Sequence, residues 1–102
     1  MRRYAGLLVL SLTAVPTFSY ASEIAEGQRL AKAWCVSCHV VAPGSVGADA
    51  GPSFASVADR PGLSAGALRA WLTDPHPIMP RFDLSERQIQ SLVAYIESLG
   101  SN

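Results

Sequence analysis

The chain has 102 residues and is formally neutral, with eight Lys plus Arg against eight Asp plus Glu. That length holds one small domain with a modest core, which usually needs a staple such as disulfides or a metal. With no basic stripe, nothing in it resembles a nucleic-acid footprint.

Residues 1–21 read as a cleaved secretory signal peptide. Arg2 and Arg3 make a positive start, Ala5 to Val15 is a short, almost wholly apolar run, and Pro16 breaks it. Ser19-Tyr20-Ala21 then offers small residues at the two positions a signal peptidase reads. About eleven apolar residues fall well short of the twenty or so that a membrane-crossing helix needs. No membrane span is therefore expected after cleavage, and no cysteine sits at the cleavage point to carry a lipid. Residues 22–102 remain as a single domain of 81 residues, formally −2 once the two leader arginines are gone.

The spacing predicts a first helix from about Glu23 to the cysteines. Glu23 and Glu26 suit the positive end of its dipole. Ile24, Gly27, Ala31 and Trp34 recur at intervals of three and four and so share one face. Gly27 is a poor helix former, so on that face it lets another helix come close.

Next comes Cys35-Val36-Ser37-Cys38-His39, which holds both cysteines of the chain and one of its two histidines. The spacing suits covalent haem attachment: each thiol adds across one vinyl group, and the adjacent imidazole lies under the iron. Other chemistries use parts of the same run. A local disulfide is one, and a redox dithiol is another, since Trp34-Cys35 followed by Cys38 resembles the active-site turn of thioredoxin-like proteins. Zinc usually takes four ligands, and only His76 remains in reserve for it.

Residues 40–63 form a long connection rich in Gly and Pro, in which Phe54, Val57 and Ala58 make one short apolar turn. Loops this long are uncommon unless they wrap something, and a large cofactor would explain it. A middle helix starts at Ser64 as N-cap, with Leu63 stapled onto Leu68, and stops before Pro75. Leu68, Trp71 and Leu72 make its apolar stripe, and Trp34 and Trp71 read as core or haem-packing residues.

The segment from Asp74 to Phe82 has three prolines in six residues and is stiff and non-helical. Met79, the only methionine besides the initiator, is suited there to present its sulfur in one direction as a sixth iron ligand. His76, or an exchangeable sixth site, is the alternative.

The last helix opens on an S-x-x-Q capping box, Ser85 with Gln88, and Leu84 can staple onto Ile89. Ile89, Leu92, Val93, Ile96 and Leu99 line one side, and Gly100 is placed to terminate it. No stretch shows the sustained alternation of a strand. The predicted class is all-α, with about three main helices.

Over essentially its whole mature length the chain resembles small bacterial class I cytochromes c with one haem. The resemblance rests on Gly27 eight residues before Cys35, the Cys35-to-His39 run, Gly51-Pro52, Met79-Pro80, and Tyr95 in the final helix. It implies the cytochrome c fold, wrapped around one covalent haem c held by Cys35 and Cys38, with His39 and Met79 as axial metal ligands. It implies that Gly27 meets the face of Leu92, Tyr95 and Ile96. It further implies that the Pro52 carbonyl orients the proximal imidazole, and Trp71 is placed to offer its indole N–H to a haem propionate. Where the family often has an aromatic residue four positions before the first cysteine, this chain has Ala31.

The function expected is that of a periplasmic one-electron carrier, not an enzyme, docking transiently on redox partner proteins. It would act as a monomer or as a subunit of a dehydrogenase or oxidase complex. A haem-based ligand sensor is an alternative. A thioredoxin-like oxidoreductase would need strands alternating with helices, which the sequence lacks.

Overall fold

The computed structural model describes residues 2–14 and 19–101. The elements in chain order are α1 (Tyr20–Trp34), β1 (Val40–Ala42), β2 (Val46–Gly47), α2 (Phe54–Ala58), α3 (Ala65–Thr73) and α4 (Glu86–Ser98). Residues 2–14 contain no helix or strand, and their large apolar side chains, Leu7 and Leu8 among them, are exposed. Val15 and Pro16 lie outside the described residues. No helix among the described residues is long and apolar enough to cross a membrane.

α1 starts three residues before the expected Glu23, because Ser19 caps it: the Ser19 hydroxyl accepts the Ser22 N–H. The expected cleavage point after Ala21 thus falls inside its first turn. Its buried face is Gly27, Leu30 and Ala31. Trp34, expected on that face, turns away to the rim of a hollow described below, and the fully buried Leu30 takes its place.

α4 crosses α1 and forms most of the core. Both bonds of the capping box are present, with Gln88 N–H on the Ser85 hydroxyl and Ser85 N–H on the Gln88 side-chain oxygen. Ile89 and every residue from Ser91 to Ile96 are buried. Leu99 caps the C-terminus, and Gly100 follows it without a positive φ.

The helices meet at Gly27. A Cβ there would lie 2.0 Å from the Ser91 carbonyl oxygen and 2.6 Å from the Tyr95 Cβ. The expected contact with Tyr95 is therefore present, and Ser91 lies beside it. Gly27→Ala gains about 1 kcal/mol of helix propensity, but neither backbone can yield, and overpacking of this kind costs about 1–3 kcal/mol. We expect a net loss, read as a melting temperature lower by several degrees in the haem-loaded protein.

Tyr95 also ties α4 to the chain after the cysteine motif. Its hydroxyl donates to the Val41 carbonyl at 2.5 Å in the buried core. Burial raises the phenol above its usual pKa, which keeps the donor protonated.

β1 and β2 form an antiparallel hairpin that the sequence reading did not anticipate. Gly44 and Ser45, at φ of 83° and 61°, turn the chain between them. Strands of three and two residues are too short to show alternation. α2 is capped by Ser53 and buries Phe54 and Val57, and α3 is capped by Ser64 and buries Leu68. Both lean on α4, leaving open space between them and the cysteine motif.

Candidate functional site

The motif occupies the turn that ends α1. Cys35 is the C-cap, its N–H bonded to the Ala31 carbonyl, and the N–H groups of Cys38 and His39 both return to the Cys35 carbonyl at 3.2 and 3.0 Å. One tight turn therefore presents both thiols and the imidazole together. Both cysteines are free thiols. Burial pushes the Cys35 thiol up to about 11, opposite to the lowered value that makes a dithiol enzyme's thiolate reactive. The thioredoxin-like alternative also lacks the central sheet it needs, since the strands among the described residues are those of one short hairpin.

His39 is held from two sides. Its Nδ1 lies 2.7 Å from the Pro52 carbonyl oxygen, which can only accept. Nδ1 therefore carries the proton, and the Nε2 lone pair is left for a metal. Gly51 backs the ring: a Cβ there would sit 2.8 Å from His39 Cε1 and 3.0 Å from Nδ1. The Phe54 ring lies 5.3 Å away, tilted at 45°.

Two hollows open around this imidazole, of about 270 and 410 Å³. Both are lined by His39, Pro52, His76 and Met79, so the two sequence candidates for a sixth ligand reach the same space as His39. The smaller adds Cys35, Cys38, Trp34 and Phe82; the larger adds Phe54, Leu68 and Trp71 among its apolar walls. Together they reach the size of a cofactor site. Met79 is half-buried and follows a turn closed by its N–H on the His76 carbonyl at 3.2 Å. His76 is exposed, with its Nδ1 3.2 Å from the Pro77 carbonyl oxygen.

Trp71 lines the larger hollow with the Arg60 guanidinium 5.7 Å from its ring centre. Arg60 was not legible in the sequence, because nothing in its spacing joins it to Trp71. Phe82 was also missed. Its ring stacks on Trp34, centroids 6.3 Å apart and planes 6° from parallel. Gly51 carried a signal, being next to the expected Pro52.

Among the described residues no group of three or more His, Cys, Asp or Glu is gathered to hold a bare metal ion. An iron here would have to bring its own equatorial ligands. Two free thiols one turn apart, an imidazole oriented through its far nitrogen and a divided apolar hollow fit a haem.

Residues 22–96 match the family described as cytochrome c oxidase, cbb3-type, subunit III. The chain is 48% identical over 93 residues to cytochrome c-552 of Bradyrhizobium diazoefficiens, covering 90% of this chain and 89% of that one. It is 34% identical over 77 residues to cytochrome c oxidase subunit 2 of Alkalihalophilus pseudofirmus, covering 64% of this chain and 22% of that one. No solved structure matches. The chain therefore belongs to the cytochrome c family, as an all-α electron-transfer protein whose cofactor is a covalently bound haem c.

Proposed function

We propose that this chain is a periplasmic one-electron carrier, exported with residues 1–21 as a cleaved signal, in which His39 and Met79 ligate the haem iron. The observation that carries this reading is the shared space. Met79 and His39 both line the two hollows, and the Pro52 carbonyl turns the His39 lone pair outward. Haem c supplies one iron that alternates between Fe(III) and Fe(II).

The residues of the chain do the rest. Cys35 and Cys38 would hold the macrocycle through two thioethers. Gly51, Pro52 and Phe54 fix the imidazole, so little has to move when an electron arrives. Phe54 and Leu68, both buried, would keep water from the bound group, which favours the less charged reduced state. Trp71 and Arg60, which both line the larger hollow, would offer an N–H donor and a cation to a carboxylate of the bound group. An electron would enter or leave without bond making at the iron. Its donors and acceptors are redox proteins met in brief encounters, and the oxidase names of the family and of one relative favour a terminal oxidase among them.

Protein matured in the periplasm should keep its haem through acid–organic extraction and titrate reversibly as a one-electron couple. A colourless protein with two thiols would overturn the reading. Sequencing of the exported protein should begin at Ser22. Gly51→Ala tests the imidazole cradle: the added methyl must push the ring off the Pro52 carbonyl. We expect an altered low-spin resonance spectrum and a loss of about 1–3 kcal/mol in holoprotein stability. An unchanged spectrum would show that the cradle has room to spare.

A further inference from the structure

The loop that carries Met79 has little of its own to hold it. It runs from Asp74, the C-cap of α3, to Ser85, the N-cap of α4, without helix or strand. Two of its non-glycine residues, Ile78 and Asp83, stand at positive φ, 84° and 49°. Such backbone persists only where the surroundings enforce it. The bonds of the loop are local. The Met79 N–H closes a turn on the His76 carbonyl, and the Arg81 guanidinium meets the Asp74 carboxylate at 3.0 Å. That ion pair is exposed and so contributes little. Neither bond reaches the turn of Cys35, Cys38 and His39, with which Met79 shares a hollow.

One contact does connect the two. Trp34, the last residue of α1 and the neighbour of Cys35, stacks on Phe82, three residues after Met79. Both rings line the smaller hollow together with Met79 and the thiols. Arg81 and Asp83, on either side of Phe82, are exposed, so their charges stay in water and the attachment falls to the ring between them. The core does not need Trp34, because Leu30 fills the buried place that its spacing would give it. A second aromatic pair, His39 with Phe54, stands beside the proximal imidazole. The imidazole and the methionine loop are thus each braced by one pair of rings.

We infer that Trp34 and Phe82 are positioning residues for the sixth ligand: their stack is a clasp that fastens the Met79 loop to the turn carrying the two thiols. The inference rests on the Met79 ligation proposed above. With the clasp shut, the strained loop has one arrangement and Met79 stays in the shared hollow. With either ring removed, the loop relaxes, the thioether spends part of its time away from the iron, and a small ligand finds that position open.

Imidazole binding to the ferric holoprotein reads the open fraction, since the apparent Kd is the intrinsic value divided by that fraction. Trp34→Ala should tighten imidazole binding about tenfold, and Phe82→Ala, far from the cysteines in the chain, should do the same. Trp34→Phe keeps a ring and should stay within about threefold of the wild type. The double variant should bind no more than about twofold tighter than either single, because each single already breaks the contact. On heating, the weak thioether-to-iron band of the ferric protein should vanish well below the helix melt in both alanine variants, and close to it in the wild type. A merely structural role would lower both transitions together. Alanine variants that bind imidazole like the wild type, effects that multiply to about a hundredfold in the double variant, or band and helix lost together in every protein overturn the inference. A wild type without the thioether band overturns the Met79 ligation and the inference with it. A band present in the wild type and indifferent to both alanine variants overturns the clasp alone.

Discussion

Protein prepared without its haem is expected to lose its cooperative fold. The crossing of α1 and α4 is well packed, but Phe54, Leu68 and Trp71 also wall a hollow of about 410 Å³ that no side chain fills. If such a void stayed empty it would cost on the order of 10 kcal/mol, at about 24 cal/mol per Å³. That is comparable with the whole stability of a small domain. Water entering would instead wet the same apolar walls, at about 25 cal/mol per Å² exposed. Either way α2 and α3 lose the surface they were placed to cover. The double variant Cys35→Ala/Cys38→Ala removes both thioethers and gives the measurement. Its circular dichroism should show weak helix and no sigmoidal melt. A sharp transition would show that the two crossed helices suffice.

Met79→Ala should change the iron more than any other single substitution in the loop. A thioether ligand raises the potential of a haem relative to harder ligands, and axial ligand identity moves potentials over about 0.8 V. We therefore expect a fall on the order of 0.2 V. The weak thioether-to-iron band at the red end of the oxidised spectrum should vanish. So should the upfield-shifted methionine methyl signal of the reduced protein, and the iron should open to small ligands. His76→Ala is the control, because His76 is exposed and its ring lies against the Pro77 carbonyl. It should leave band and methyl signal in place. If it abolished them while Met79→Ala did not, His76 would be the ligand.

Residues whose role depends on near neighbours were the easiest to find in the chain. Ser85 and Gln88 cap the last helix as their three-residue spacing requires, and Ser64 opens the middle one. Cys35, Cys38 and His39 come together because one turn of backbone brings them together. Features that depend on distant partners stayed hidden. Trp34 has the spacing of the buried face, yet a ring 48 positions later in the chain, Phe82, holds it at the surface. Arg60 finds Trp71 only because α2 and α3 converge on the same hollow. The positive φ of Ile78 carries no signal at all, since isoleucine is among the residues least expected to adopt it.

The bond from Tyr95 to the Val41 carbonyl spans 54 positions, and Gln90 reaches back 67 positions to Glu23. The core is thus sealed by the two ends of the domain and not by neighbours in sequence. A chain that emerges from its N-terminus presents Cys35 and Cys38 long before α4 exists to pack against α1. Closing a loop of that length is slow compared with forming either helix. During this interval the turn of Cys35, Cys38 and His39, closed by its own local hydrogen bonds, can form without any contribution from α4. The order of synthesis thus separates the making of the site from the sealing of the core.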